Sequence, residues 1–370
     1  MISGWKLRRE LVRLGRQLRA IPEAFWEPVA QRAHDRRFAA GFPVATGAVP
    51  ASAKIALLLI YQPRKVAASI VHTCDHLVSR GYAPLVVSNT ALTDASRAAL
   101  LPHVWQIMER PNFGYDFGGY RDGLRHLWAA GMTPDKVLIL NDSVWFPLDP
   151  GEEMIARMEA SDADVVGSIM RGREARRGGR GLRFLESYCT MLDGRVFASR
   201  QMRRFWEDMR LTSNKFKVIR RGERAHSEAL EEAGFRLASV YRREDFLAAL
   251  ERQDDAFLRR TLVYAAFQEA SDMAARDRIL AAEDGPAWRE RALDFIRRAE
   301  ARGQFYSQFP YANVRLLGYP LLKKSRDRPS TLWRGAHARA VEAGDLPAPP
   351  EPILSELRMR IGRDIAGPRP

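Results

Sequence analysis

The sequence predicts an α/β fold in which a mostly parallel sheet is flanked by helices. Between residues 54 and 170, apolar runs of strand length alternate with helical segments. Parallel strands need a crossover between them, usually a helix, and a strand that is buried on both faces is apolar along its length. An N-terminal amphipathic helix precedes the sheet, and a helical C-terminal region follows it.

The elements follow one another in a regular order. Strands are predicted at residues 54–61, 82–89, 103–110, 136–140 and 162–170, with another strand inside 187–197. Helices are predicted at residues 64–80, 92–101, 118–130, 199–211 and 224–234. Most of the segment from 245 to 302 is also predicted to be helical, with Pro286 opening a new helix.

These patterns divide the chain into five parts. Residues 1–40 form a basic helical segment, 41–53 a linker rich in Pro, Gly and Ala, and 54–245 the domain that carries the sheet. Residues 246–342 are mainly helical, and 343–370 form a proline-rich tail that we expect to be poorly ordered.

Composition and charge narrow the function. The chain has 370 residues, of which 46% are hydrophobic and 28% are charged, as in globular proteins. Its 59 Lys and Arg against 45 Asp and Glu give a net charge of +14, which favours nucleic acid, a phosphorylated substrate or an acidic membrane as partner. No apolar stretch reaches the roughly 20 residues of a spanning helix, and the N-terminus lacks the apolar core of a secretory signal.

The cysteines argue against a zinc site. Neither Cys74 nor Cys189 lies in a CxxC pair or a Cys/His cluster. We expect two buried free thiols, as in a cytoplasmic protein.

Two basic segments could bind an anionic partner, and each also has a purely structural explanation. In residues 2–21 one helix face is leucine-rich and most of the rest is basic, so this helix either lies on an anionic membrane surface or packs on its own domain. The glycine- and arginine-rich residues 171–183 either order on an anionic ligand or form a solvated loop.

Polar side chains follow several of the predicted strands. Ligands of parallel α/β sheets bind at the carboxyl ends of the strands. Asn89, the segment RPNFGYDFGGYRDGL (110–124) and the triplet Asn141-Asp142-Ser143 all fall at such ends. We therefore expect a ligand site there.

The segment 110–124 is rich in glycine at a strand-to-helix turn. Gly118-Gly119 would let the backbone approach a ligand closely at the start of a helix. Asp116 either binds a ribose or sugar hydroxyl or caps the helix. Asp142 either holds a divalent cation against a diphosphate or makes an Asx turn or helix cap.

The segment RPNFGYDFGGYRDGL, followed by VLILNDSVWFPL, resembles the rhamnan synthesis F family of bacterial polysaccharide glycosyltransferases. The resemblance covers about residues 54–325 and is strongest from 110 to 148. It implies a GT-A-like, Rossmann-type nucleotide-sugar-binding domain. It also implies transfer of a sugar, often a deoxyhexose such as rhamnose, from a dTDP-, GDP- or UDP-sugar to a cell-surface polysaccharide or lipid-linked glycan.

The resemblance also assigns donor-binding residues. Asn112 and Gly114 would shape the nucleotide pocket with Asp116 beside them, and Asn141-Asp142-Ser143 stands where related transferases carry a metal-binding DxD motif. Only Asp142 is acidic in this triplet, so Mg²⁺ or Mn²⁺ would draw its other ligands from the donor diphosphate, or arginines would replace the metal.

Two further stretches resemble the family. In VIRRGERAHSEALEEAGF (218–235), Glu223 matches a recurrent acid, and an inverting transfer needs one base to deprotonate the acceptor hydroxyl. Glu223 is the first candidate, with Glu228 and Asp193 behind it. The alternative is an exposed helix carboxylate paired with Arg220 or Arg224.

His226, in the same stretch, either touches the diphosphate or a metal, or is structural. LLGYPLLKKSR (316–326) resembles the family's Gly-x-Pro-x-x-Lys ending. Lys323 or Lys324 would then reach the donor phosphates; solvation at the surface is the alternative.

A glycosyltransferase at the inner face of the plasma membrane is the favoured reading. Nucleic-acid binding is the alternative class, because the pI is about 10.1 and residues 171–183 are similar to RGG segments that bind single strands. Against it, no signature of a nucleic-acid module appears in the sequence, and the basic residues are dispersed rather than confined to one element. A scaffold that kept the fold without turnover is the third reading.

Overall fold

The structure, a computed structural model, describes residues 26–173, 182–214, 217–218, 220–283, 285–302 and 304–366. The helix predicted at residues 2–21 and most of the loop predicted at 171–183 lie outside the described residues.

A nine-stranded, mostly parallel sheet forms the centre of the described chain. Its strands are β1 (Val44–Thr46), β2 (Lys54–Ile60), β3 (Ala83–Ser88), β4 (Gln106–Glu109), β5 (Lys136–Asn141), β7 (Val165–Arg173), β8 (Leu182–Leu185), β9 (Cys189–Asp193) and β10 (Leu237–Tyr241). Their order is β1-β4-β3-β2-β5-β9-β7-β10, with β8 paired to β7. The neighbours β4-β3-β2-β5 and β7-β10 are parallel, whereas β1, β8 and β9 run antiparallel to their partners. A separate ribbon pairs β6 (Val144–Trp145) with β11 (Leu322–Lys323).

Helices cover both faces of the sheet and fill the C-terminal region. A first helix, α1, covers residues 26–39. Within and beside the sheet domain lie α2 (Ala68–Ser79), α3 (Asp94–Leu100), α4 (Tyr115–Ala129), α5 (Met154–Glu159), α6 (Gly194–Ala198), α7 (Arg200–Asp208) and α8 (Ala225–Glu232), with a 3₁₀ turn at Leu101–His103 and a π-helical turn at Arg220–Arg224. After the sheet come α9 (Arg243–Glu251), α10 (Asp255–Val263), α11 (Ala270–Leu280), α12 (Pro286–Arg302), α13 (Phe305–Gln308), α14 (Pro310–Leu317), α15 (Arg328–Glu342) and α16 (Glu351–Ala366). Among the described residues, no helix combines the length and the apolar character that crossing a bilayer requires.

The central strands are buried on both faces, as the apolar runs predicted. Along β2, Ile55, Leu57 and Leu59 belong to the core on the α4 side, while the alternate residues Ala56 and Leu58 belong to the core on the α2 side. Successive side chains of a strand point to opposite faces, so one apolar run supplies two cores. The mixed α/β class with a mostly parallel sheet is confirmed.

Two terminal expectations need correction. Part of the predicted linker, Val44–Thr46, is strand β1 and pairs with β4. The tail beyond residue 343, expected to be poorly ordered, contains helix α16, and its Ile353 and Leu357 are buried. Pro347, Pro349 and Pro350 precede this helix, and Pro352 falls in its first turn, where a missing N–H costs no helical hydrogen bond. Both cysteines are buried, as predicted.

Candidate active site

The carboxyl ends of the parallel strands bring together residues from distant parts of the chain. Asn89 follows β3, Arg110 follows β4, and Asn141 ends β5. Strand β9 runs in the opposite direction, so the two residues near its start, Glu186 and Ser187, lie at this same edge. The polar residues therefore converge at the edge of the sheet where the sequence predicted a ligand site.

A buried charge network holds the glycine-rich loop in place. The Arg110 guanidinium is fully buried; its Nε donates to Asp122 Oδ2 at 2.6 Å, and its Nη2 donates to the Phe113 carbonyl at 2.6 Å. Its Nη1 donates to Asn89 Oδ1, and His34 Nε2 lies 2.7 Å from Asp122 Oδ2. Burial raises the pKa of Asp122, but the His34 hydrogen bond and the Arg110 charge outweigh it and leave that pKa below its ordinary value.

The glycines of this loop serve packing. Gly114 adopts a φ of +81° directly before α4. A Cβ on Gly118 would lie 2.0 Å from the Phe113 carbonyl oxygen, and one on Gly119 would lie 2.2 Å from Leu59 Cδ1. Glycine at 119 therefore lets α4 lie close on β2, and glycine at 118 lets α4 lie close on the loop backbone at Phe113, whereas the sequence suggested that both admit a ligand.

Asp116 and Asn141 meet across the edge. Asp116 lies in the first turn of α4, whose N-cap residue is Gly114, so it is not the N-cap that the sequence suggested. Asn141 Nδ2 donates to the Tyr120 hydroxyl at 2.8 Å and approaches Asp116 Oδ2 at 3.4 Å. Asn141 Oδ1 accepts from the Ser143 amide at 3.1 Å. Asp116 is exposed, as is Asn112, so both are accessible to a ligand.

Glu223 belongs to this same group. It lies in the π-helical turn and accepts a hydrogen bond from Ser187 Oγ at 2.6 Å. Tyr120 donates to the Ser187 carbonyl at 2.8 Å, and burial together with the charges of Asp116 and Glu223 raises the pKa of Tyr120. Glu223 is half-buried, in contrast to the exposed, arginine-paired carboxylate of the alternative reading.

Below these side chains lies a narrow cavity of about 20 Å³, lined by Tyr120, Ser187, Glu223 and His226 among others. Such a volume admits about one water molecule. The cavity is therefore too small for a nucleotide-sized ligand, whereas the edge of the sheet above it carries exposed side chains such as Asp116 and Asn112.

Asp142, the middle residue of the triplet, contacts the loop after β2. Its Oδ2 accepts from the Tyr61 amide at 2.8 Å and from Gln62 Nε2 at 2.7 Å, so it anchors the loop after β2. The alternative interpretation was an Asx turn or a helix cap. Asp142 instead makes these two hydrogen bonds to the loop after the neighbouring strand β2.

The ribbon of β6 and β11 brings the two predicted lysines to Asp142. Lys323 pairs with Val144, and the Lys324 amide donates to the Ser143 carbonyl at 2.7 Å. Lys324 Nζ lies 3.3 Å from Ser69 Oγ; burial lowers its pKa, and the charges of Asp142 and Glu356 oppose that effect. Both lysines are half-buried, in contrast to the alternative that they are solvated at the surface.

Lys323 points to a buried carboxylate. Its Nζ lies 3.4 Å from Glu186 Oε2 and 4.6 Å from the centre of the Tyr188 ring. Glu186 is 2% exposed, and its Oε1 accepts from the Tyr306 hydroxyl at 2.5 Å. Lys323 therefore connects the candidate site to the C-terminal helices.

Asp193 and Glu228 do not join this group, and His226 joins it only as part of the cavity lining. Asp193 lies at the opposite edge of the sheet, where its Oδ2 pairs with Lys136 Nζ at 3.1 Å and its Oδ1 caps α6. Glu228 is exposed on α8. His226 lies against the rings of Phe205 and Trp206, and burial lowers its pKa to about 4. Neither Asp193 nor Glu228 is placed to act with Glu223, and His226 is not placed to share a metal with Asp142.

Sequence patterns did not point to Tyr120, Ser187, Glu186 or Glu356. Tyr120 lies within the glycine-rich segment, and its position one helical turn after Asp116 was the available signal. Ser187 and Glu186 precede an antiparallel strand, so no rule about carboxyl ends pointed to them.

A wider open groove of about 570 Å³ lies between α7 and α8, lined by Phe205, Met209, Arg204 and Arg221 among others. None of the residues predicted for the site lines it.

Comparisons with known proteins agree with the motifs. A family model described as "Rhamnan synthesis protein F" matches residues 85–263. The uncharacterized protein y4gN of Sinorhizobium fredii is 30% identical over 359 residues, which cover 96% of this chain and 92% of that protein.

Two solved structures also align along most of the chain. They are the mannosyltransferase PcManGT from Pyrobaculum calidifontis in complex with GDP-Man and Mn²⁺ (14% identity, 94% of each chain, TM-score 0.30) and S. aureus TarS in complex with UDP (12% identity, 85% of this chain and 88% of that one, TM-score 0.29). Alignments at these scores do not establish a shared fold. The match of the family model and the close relative along nearly the whole length show that the chain belongs to the rhamnan synthesis protein F family.

Proposed function

We propose that this protein is a glycosyltransferase with a GT-A-like site, which moves a sugar from a nucleotide-diphosphate donor to a polysaccharide or lipid-linked glycan. Membership of a rhamnan synthesis family supports a transferase, and rhamnose or another deoxyhexose is the favoured sugar. One observation carries the proposal: Asp116, Asn141 and Glu223 converge at one edge of the sheet. Beside them, the ribbon of β6 and β11 brings Lys324 next to Asp142.

The proposed reaction is a single inverting displacement. The acceptor hydroxyl oxygen forms a bond to the anomeric carbon while the bond from that carbon to the β-phosphate oxygen breaks. The acceptor proton passes to the Glu223 carboxylate, and the nucleoside diphosphate leaves with the electron pair. Ser187, which donates to Glu223 Oε1, would orient the carboxylate.

The donor would lie across the edge of the sheet. Asp116 and Asn112, both exposed, would contact ribose or sugar hydroxyls, with Asn89 and Gly114 shaping the loop beneath. The diphosphate would lie toward Lys323 and Lys324. The acceptor glycan would approach from the inner face of the plasma membrane, where the basic residues 2–21 would contact anionic lipid.

Nucleotide binding tests this proposal against nucleic-acid binding. We expect UDP, GDP or dTDP to raise the melting temperature by several degrees, because a ligand at 100 times its Kd stabilises the folded state by about 2.7 kcal/mol. The measurement is a thermal melt with each nucleotide, with adenosine as the control. No shift with any nucleoside diphosphate, together with salt-sensitive binding of single-stranded RNA or DNA, would favour the nucleic-acid reading.

A further inference from the structure

The residues around Asp142 do not fit a divalent cation. Mg²⁺ and Mn²⁺ take about six ligands, mostly oxygens, and protein sites for them supply carboxylates. Asp142 is the one acid of its triplet, and its Oδ2 already accepts hydrogen bonds from Tyr61 and Gln62. Across the ranges that the structure describes, no three His, Cys, Asp or Glu side chains are grouped in a way that could hold a metal ion.

A lysine occupies the neighbourhood where a metal would lie. The Lys324 amide donates to the carbonyl of Ser143, the last residue of the triplet, at 2.7 Å. The antiparallel ribbon fixes this register, because Lys323 pairs with Val144 and Leu322 pairs with Trp145. Lys324 is therefore held next to Asp142 by the backbone, independently of any ligand.

The ammonium of Lys324 is also fixed at its far end. Its Nζ lies 3.3 Å from Ser69 Oγ, in the first turn of α2, and 5.5 Å from the centre of the Trp145 ring. Glu356 of α16 accepts from the Ser69 amide at 2.9 Å, from Ser69 Oγ at 2.7 Å and from Trp145 Nε1 at 2.9 Å. Glu356 thus anchors both groups that contact the lysine. Burial lowers the pKa of Lys324, and the charges of Asp142 and Glu356 partly oppose that effect.

We propose that Lys324 supplies the positive charge for the donor diphosphate at Asp142, so that donor binding needs no divalent cation. A lysine ammonium is a compact point charge that binds phosphate oxygens, and it does so without the ligand set a metal requires. Asp142 then acts as the lysine's counter-charge and as the anchor of residues 61–62. This inference rests on the proposed function, since it concerns the diphosphate of the same donor.

Calorimetric titration of the purified full-length protein with UDP, GDP and dTDP, in EDTA and in Mn²⁺, tests the inference. We expect the nucleotide that binds to do so equally well in both solutions. Lys324→Met should weaken that binding at least about tenfold, Mn²⁺ should not restore it, and Lys324→Arg should retain part of it.

Lys54→Met is the matched control, because Lys54 starts β2 at the opposite edge and pairs with Glu159 at 2.9 Å. Binding that is lost in EDTA and restored by Mn²⁺ would overturn the lysine assignment while leaving the transferase proposal intact. Absence of binding in both solutions would overturn both. If Lys324→Met does not fold, the wild-type titrations and Lys324→Arg decide the question by the same criteria.

Discussion

Replacing Glu223 with glutamine is expected to lower sugar transfer by about 10²–10⁴-fold while nucleotide binding and the melting temperature stay close to wild type. General-base catalysis contributes about that factor. Glutamine has the same shape, and its amide oxygen can still accept the 2.6 Å hydrogen bond from Ser187 Oγ, so the fold around the π-helical turn should persist. The measurement is the rate of nucleoside diphosphate release with acceptor present, beside a nucleotide titration.

Glu228→Gln is the matched control for this variant. Glu228 lies five residues further along but is exposed on α8, and its replacement should leave the rate unchanged. A Glu223→Gln protein that retains more than about a tenth of wild-type turnover would remove Glu223 from the role of base.

The Asp122→Asn substitution is expected to cost about 3–5 kcal/mol of the free energy of unfolding. Both Asp122 and the Arg110 guanidinium are fully buried, and the change leaves that guanidinium without its counter-charge. Since Arg110 also donates to Asn89 and Phe113, the glycine-rich loop should loosen with it. Urea unfolding measures the loss.

Asp94→Asn is the control for this experiment, because Asp94 is a fully exposed partner of Arg97 and surface pairs contribute about 0–1 kcal/mol. The pH dependence gives a second readout. The folded-state pKa of Asp122 lies below its ordinary 3.8, so its stabilisation is present above that pH and is lost as pH falls through the lowered pKa. Asp122→Asn should therefore lose part of the acid sensitivity of wild type; equal stability of the two proteins would contradict this account of the network.

Sequence pattern predicted the sheet because its strands are short apolar runs with a single physical explanation. Strand β2 is buried on both faces, and a seven-residue apolar run has the length of a strand, whereas helices usually need about 10–12 residues. The same pattern could not reveal helix α16, because the prolines before it indicate disorder while its buried Ile353 and Leu357 find their partners only in the folded chain. The sequence pattern did not reveal strand β1 for a similar reason. It has only three residues, and they form a strand because they pair with β4 at the edge of the sheet.

Part of the candidate site was predicted by one rule, that ligands of parallel sheets bind at the carboxyl ends of the strands. That rule placed Asn89, Asn141 and Asp142 correctly at one edge of the sheet. It gave no guide to Asp193, because β9 runs antiparallel and carries its last residue to the opposite edge.

Lys324 shows a second limit of sequence reasoning. It lies more than 180 positions after Asp142, and the antiparallel pairing of β6 with β11 brings the two together. A two-residue strand carries no periodicity, so only the resemblance of its sequence to a family pointed to it. The buried Glu186 and the half-buried Glu356 had no such signal, since a lone acid between apolar residues is indistinguishable in sequence from an exposed one.

The most direct measurement is nucleotide release from a panel of sugar donors, including dTDP-rhamnose, GDP-mannose and UDP-sugars, followed chromatographically for the wild-type protein and Glu223→Gln. The account predicts that wild type releases the nucleoside diphosphate from at least one donor and transfers its sugar to a glycan acceptor, and that Glu223→Gln does so far more slowly. Absence of release from every donor, by a folded protein in both EDTA and Mn²⁺, would contradict the proposal that this chain is a glycosyltransferase.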